Sequence, residues 1–402
     1  MRSTLFPLAA TLTVQLLVSM AVVTVPVLAP AMAADTGLSA GYAGHFIALV
    51  YGASMAASLV AGPLVQRFGA IRLSQIGLAA SALGLAGVAS GTLPLLVAGA
   101  VLLGFGYGPV TPASSHVLAK TTPPGMMSLV FSLKQTGVPL GGAAAGAIVP
   151  TLVLWAGWRE AALVVGAACL ITIVLAQPLR ASLDADRNRA LRLRFSGIAG
   201  PLRYTLTHPV LRRLAICSFF FAAVQLCLVT FLVTHLTLNL GFTLVGAGLM
   251  LTAAQAGGVV ARIAWGALAD RWGRTERLLG LIAVGMGIAA LATARFTPQW
   301  PGAAIAAVCA AFGATAIGWN GIYLAHVARL APPGKAGDAT GGSLFITFGG
   351  VLVGPPAFAL LVESGTGYPA AYVMAAVPAT ACGLWLLWCD RHRNDSGRAS
   401  PT

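Results

Sequence analysis

Acidic side chains are scarce in this chain. Aspartate and glutamate together number 10 in 402 residues, against 24 lysines and arginines. Charged residues of both signs make up only 8%, while 58% are hydrophobic and mean hydropathy is +0.86. So few charges exclude a water-soluble domain, which needs a far larger polar surface. The six cysteines (Cys169, Cys217, Cys227, Cys309, Cys382 and Cys389) lie in or at the ends of apolar stretches, without paired spacing. That pattern excludes a disulfide framework or a zinc site and predicts small buried packers. No nucleophile–base set, metal cluster or nucleotide loop occurs, so neither an enzyme nor a cofactor is expected.

What the chain has instead is repeated apolar stretches of membrane-spanning length. Twelve are expected: 7–31, 43–65, 73–91, 93–117, 126–150 and 160–179, then 213–236, 243–266, 278–295, 301–327, 341–363 and 369–389. The 48 glycines suit close packing of membrane helices. The N-terminal stretch "MRSTLFPLAATLTVQLLVSM" resembles a signal peptide but is long for one, and it is read as span one.

Charge placement sets the topology. With the N-terminus inside, 20 of the 24 basic residues are cytoplasmic, among them Arg2, Arg67, Arg72, Lys120, Arg271, Arg274, Arg277, Arg329, Lys335 and Arg391. Eight of the 20 lie in the linker and at its exit into span seven: Arg180, Arg187, Arg189, Arg192, Arg194, Arg203, Arg212 and Arg213. Only Arg159 and Arg295 fall outside, and Lys134 and Arg262 lie within spans. This asymmetry accounts for the net charge of +14 without a nucleic-acid partner. It predicts a multi-pass protein of a bacterial-type inner (plasma) membrane with both termini cytoplasmic. The linker is read as a solvated connection lying on anionic headgroups.

The chain repeats itself. "GPLVQRFGAIR" follows span two and "GALADRWGRTER" follows span eight, with Gly62, Leu64, Arg67 and Gly69 matching Gly266, Leu268, Arg271 and Gly273 at a constant offset of 204 residues. "AGWREAA" from Ala156 likewise matches "TGYPAAY" from Thr366. The expected fold is an all-α integral membrane protein with 12 transmembrane helices in two pseudo-symmetric six-helix bundles. The bundles occupy 1–179 and 213–390, with a basic linker at 180–212 and a tail at 391–402.

At these residues the chain resembles the major facilitator superfamily, whose loop signature is Gly-x-Leu-x-Asp-Arg-x-Gly-Arg. The second copy holds every element: Gly266, Leu268, Asp270, Arg271, Gly273 and Arg274. The first copy departs, with Gln66 at the aspartate and Ala70 at the last basic position. The resemblance implies secondary transport by alternating access, with Asp270 latching one conformation. With Gln66 in its place, the first-half latch keeps hydrogen bonds and loses its charge.

Charged residues buried in a bilayer are costly and are functional candidates. Every acid falls in a loop or at a span end, so the span interiors hold cations without acids. Lys134 lies about eight residues into span five, ~12 Å deep in a ~30 Å core. Gly137 and Gly141 share its face, and the adjacent Gln135 is expected to point elsewhere. Snorkelling to the surface is the competing reading for Lys134. Arg262 shares a helix face with Gln255 and Gly258, and its competing reading is helix-end anchoring. An arginine in this span also resembles superfamily members that carry carboxylates or nitrate. In monocarboxylate carriers an aspartate stands one turn earlier, where this chain has Gly258, so proton coupling by that route is not expected.

Uncharged candidates are Gln15, Tyr107, Gln225, Trp319 and Asn320, in spans that the resemblance places around the cavity. Helix–helix hydrogen bonding is the competing role for each. "GFGYGPVTP" in span four and "FGGVLVGPP" in span eleven are candidate bending points. The histidines His45, His116, His235 and His326 sit near span ends and are lesser candidates.

The expected function is transport of a small anion, such as a carboxylate, held by Lys134 and Arg262. A proton or a second anion is the expected coupled species, and the transporter is expected to act as a monomer. A multidrug exporter of the same fold is the first alternative: "GVPLGG" in span five approximates the motif of that branch, although its usual buried acid is missing. A membrane sensor or scaffold without transport is the second.

Overall fold

The computed structural model describes residues 2–39, 41–122, 130, 133–188, 199–330 and 336–398. Most of the predicted start of span five, linker residues Arg189, Arg192 and Arg194, and Lys335 lie outside the described residues, as do the surroundings of Gly62. Every regular element among the described residues is helical.

In the first half, spans one to three are Arg2–Thr36, Tyr42–Phe68 and Ala70–Ala89. Span four is split into Leu93–Tyr107 and Val110–Thr121, and the described part of span five leads from Leu133 through a turn at Thr136 into Gly137–Ala156. Span six is Trp158–Ala176, followed by a short helix, Arg180–Leu183. In the second half, spans seven to nine are Pro209–Leu240, Leu244–Trp272 and Thr275–Thr293. Span ten is again split, into Gly302–Ala316 and Asn320–Leu330. Spans eleven and twelve are Ala336–Leu361 and Gly367–Arg398, and a helix at Ala199–Thr207 precedes span seven.

Ten helical stretches among the described residues are long and apolar enough to cross a membrane, the last being Gly342–His392. That last stretch holds spans eleven and twelve, and Tyr42–Phe68 supplies span two. The outward apolar side chains include Trp155 at 81% and Leu154 at 72% exposure, as a lipid-facing surface requires.

Several helices run past their predicted ends, because helical hydrogen bonding continues where hydropathy falls. The glycines and prolines of "GFGYGPVTP" do break span four, at Gly108–Pro109. Span eleven stays helical through Pro355 and Pro356, and the second half breaks instead in span ten at Ile317–Trp319.

Contacts group the chain into two compact units, Met1–Ile198 with Val229–Thr252, and Ala199–Leu228 with Ala253–Thr402. Within the first, span three packs on spans four and six; within the second, span nine packs on spans ten and twelve. Each unit thus repeats the packing of the other.

Candidate functional site

Breaking a helix frees carbonyls that must find donors inside a membrane. At the break in span four the partners are serines of span two. Ser58 Oγ lies 3.1 Å from the Gly108 carbonyl, which Pro112 leaves without its helical donor, and Ser54 Oγ lies 3.1 Å from the Gly104 carbonyl, which Gly108 N–H also holds. At the break in span ten the donors come from span eight: Trp265 Nε1 donates to the Ala314 carbonyl at 2.9 Å, and Arg262 Nε to the Ile317 carbonyl at 3.2 Å.

One contact at each break corresponds in the repeat. Gly104 lies against the Val50 carbonyl, and Gly313 against the Ala254 carbonyl. Ser58 stands eight residues beyond Val50, and Arg262 eight beyond Ala254; their carbonyl partners each stand four beyond the glycine. Arg262 is therefore the repeat counterpart of Ser58. Half-buried, it ties one nitrogen to the bent span, a contact that neither reading of the sequence anticipated.

Lys134 is 1% exposed. Its Nζ donates to Gln15 Oε1 at 3.0 Å and to Gln135 Oε1 at 3.1 Å. Gln15 Oε1 also accepts from Thr111 Oγ1 at 3.0 Å, and Gln15 Nε2 reaches Ser19 Oγ at 3.4 Å. Gln135 thus turns toward the lysine, contrary to the expectation from an unbroken helix, because the chain turns at Thr136. Among the described residues the ammonium has amide oxygens as partners and no carboxylate. Span one approaches closely here because Gly137 and Gly141 present no side chains to it.

The second unit repeats this contact with different chemistry. Gly141 lies against the Leu16 carbonyl, and Gly350 against the Phe219 carbonyl. One residue before each carbonyl stand Gln15 and Ser218; seven before each glycine stand Lys134 and Ser343. Ser218 Oγ and Thr347 Oγ1 are 2.7 Å apart, and both residues are buried. Trp319, fully buried, donates from Nε1 to Gln225 Oε1 at 3.1 Å and to the Ala316 carbonyl at 3.0 Å.

Of the remaining candidates, Tyr107 is half-buried and packs edge-to-face on Tyr51 with centroids 5.7 Å apart. Gln255 is buried in span eight, and Asn320 opens the second segment of span ten half-buried. His326 Nε2 lies 3.6 Å from Glu276, which also pairs with Arg213.

The two signature loops differ in how a carboxylate reaches them. In the second copy Gly266 lies within span eight, Gly273 (φ +62°) ends the helix, and Arg271 and Arg274 are exposed. Asp270 is 78% exposed and 3.9 Å from Arg329. In the first copy Arg67 lies over the Phe68 ring, and Gly69 adopts φ +94°. A carboxylate does stand at this loop, but Asp184, from beyond span six, supplies it. Its oxygens accept from the backbone N–H of Ile71 at 2.8 Å and of Arg72 at 3.0 Å, at the positive end of the span-three dipole. Asp184 is fully buried against Gly69, where any side chain would collide with it.

The described start of the linker is therefore held to the bundle rather than solvated. Asp186 pairs with Lys120 at 2.7 Å and His116 at 2.8 Å, and Asn188 N–H donates to the Gln66 carbonyl at 2.7 Å. Lys120 holds the Asp186 carboxyl below its ordinary value; burial opposes it, and His116 adds a smaller lowering effect. Sequence reasoning missed this clasp; its one signal was a pair of acids, two residues apart, directly after span six.

Comparison with known proteins agrees with the repeat. The Major Facilitator Superfamily profile matches residues 11–347 and 214–402. The 4-hydroxybenzoate transporter PcaK of Acinetobacter baylyi is 32% identical over 149 residues, which cover 37% of this chain and 33% of the relative. An uncharacterized MFS-type transporter of Mycobacterium tuberculosis is 24% identical over 277 residues, covering 68% of this chain and 60% of the relative. The chain thus spans from a third to under two thirds of the length of these relatives. A crystal structure of the nucleoside transporter NupG matches with TM-score 0.73 at 15% identity, over 94% of this chain and 99% of that one, which shows a shared fold. The helical architecture, the repeated halves, the signature loop and the profile agree: this multi-pass membrane protein belongs to the major facilitator superfamily, a family of transporters and not enzymes.

Proposed function

We propose that the protein is a secondary transporter of a small organic anion, a monocarboxylate first, working by alternating access in a bacterial-type inner membrane with both termini cytoplasmic. Lys134 carries the reading. A lysine amine inside a membrane span, held by amide oxygens and no carboxylate among the described residues, is a group that a bound anion would favour in its charged form. Arg262, whose Nε donates to the Ile317 carbonyl, is the second cation of this reading, since a guanidinium is suited to carboxylate recognition. The similarity to a 4-hydroxybenzoate transporter points the same way and adds an aromatic acid to the candidate substrates.

The test is uptake into proteoliposomes of benzoate, 4-hydroxybenzoate, lactate and nitrate. Accumulation of at least one carboxylate is expected, with loss in both Lys134→Ala and Arg262→Ala. Parent-like uptake by both variants refutes the site. Protection of a sensitive host against lipophilic cations, with no carboxylate uptake, favours the drug-exporter alternative.

A further inference from the structure

Glycine makes the close approach of spans one and five. Gly141 lies against the Leu16 carbonyl, as its repeat counterpart Gly350 lies against that of Phe219. At the positions matching Gln15 and Lys134 the second unit has Ser218 and Ser343, and it packs just as tightly. The approach therefore needs neither a lysine nor an amide. What the first unit adds at this contact is Lys134 with Gln15 and Gln135, one basic side chain and two neutral acceptors.

Gln15 is fully buried, and its stem runs against Gly137, where an added Cβ would meet Gln15 Cβ at 3.0 Å. Its Oε1 takes two donors, Lys134 Nζ and Thr111 Oγ1, both at 3.0 Å, which is the full capacity of an amide oxygen. The carbonyl end of the amide is thereby turned to the lysine, and Nε2 to Ser19. Gln135 Oε1 takes a second N–H of Lys134 at 3.1 Å. A charged lysine has three N–H donors, and among the described residues two of them have an acceptor. The amine is thus aimed by two spans and neutralised by neither.

Glutamine and glutamate differ here in charge and hardly in shape. A glutamate at either position would accept the same hydrogen bonds and also supply the countercharge that a buried ammonium ordinarily has. The lysine would then be neutralised from within, and the acid would repel an arriving anion. We propose that Gln15 and Gln135 are specificity-determining residues, which hold and orient the Lys134 amine through neutral oxygens so that its countercharge comes from the substrate. This rests on the anion reading above and deepens it. The site selects an anion over its uncharged analogue because the protein withholds an acid of its own.

The experiment is equilibrium binding of 4-hydroxybenzoate, and of 4-hydroxybenzamide as its uncharged analogue, to the purified full chain in lipid nanodiscs. Gln15→Glu and Gln135→Glu are compared with the parent, and thermal melts establish that each is folded. The parent should bind the acid about tenfold more tightly than the amide, as one charge-assisted contact allows. In each variant the acid should weaken about tenfold while the amide stays within about threefold of its parent value, so the preference collapses. A folded variant that keeps the parent's preference overturns the proposal and leaves the anion reading standing. Parallel weakening of acid and amide marks the glutamines as packing groups and also overturns it, as does failure of both variants to fold. A parent without preference for the acid fails the anion reading itself, and the proposal falls with it.

Discussion

Replacing Asp184 with alanine removes both side-chain acceptors from the start of span three. The carboxylate is fully buried and takes hydrogen bonds from Ile71 and Arg72 at 2.8 and 3.0 Å, with Arg180 Nε 3.6 Å away. Losing an N-terminal cap costs about 0.5–2 kcal/mol in ordinary helices. Hydrogen bonds to a charged group are worth about 1.5–3 kcal/mol each, and the two are not additive. The orphaned backbone donors lie under Gly69, where water has little access. A loss of about 3 kcal/mol is the expected sum, or a fall in melting temperature of roughly 6–12 °C for a unit of about 200 residues. The assay is thermal unfolding of purified protein in detergent, alongside Asp184→Asn, which keeps one acceptor and should lose about half as much. Gln66→Asp in the Asp184→Ala background should not restore the loss, because Gln66 points outward and is exposed. A melting temperature for Asp184→Ala within about 2 °C of the parent would refute the cap.

Three further outcomes are expected. Gly141→Val pushes a side chain into the Leu16 carbonyl and should separate spans one and five, costing about 2–3 kcal/mol and lowering the yield of folded monomer in size-exclusion chromatography. Because Lys120 and His116 lower the Asp186 pKa, its clasp stabilises at neutral pH and is lost as pH falls through a value below 3.8; Lys120→Ala should move that acid transition to higher pH in a stability–pH profile. In a cysteine-free background, an impermeant maleimide added to intact cells should label Arg295→Cys and spare Arg274→Cys, both positions being exposed; the reverse pattern would invert the topology.

The helical spans and the signature loops were legible because hydropathy and residue spacing report them directly. Lys134 was legible as a cation among apolar residues, and a census of ten acids already set every one of them in a loop or at a span end; among the described residues its partners are amide oxygens. The Asp184 cap was not, since its partners are backbone groups more than a hundred residues away and no side-chain pattern marks them. The Ser218–Thr347 pair was hidden for a related reason: serine and threonine in helices commonly bond their own preceding carbonyls, as these two also do, so their presence says little. Arg262 looked like a binder or a helix-end anchor. Its tie to Ile317 depends on a break in span ten that has a glycine at its centre but no proline to announce it.

The central claim is that a buried ammonium waits for an anion. Isothermal titration of the parent and of Lys134→Met with 4-hydroxybenzoate, in nanodiscs at fixed ionic strength, tests it most directly. Removing one charge-assisted contact should weaken binding about 10- to 100-fold while the methionine fills the same space. Binding by Lys134→Met within about twofold of a parent that binds the acid would contradict the account.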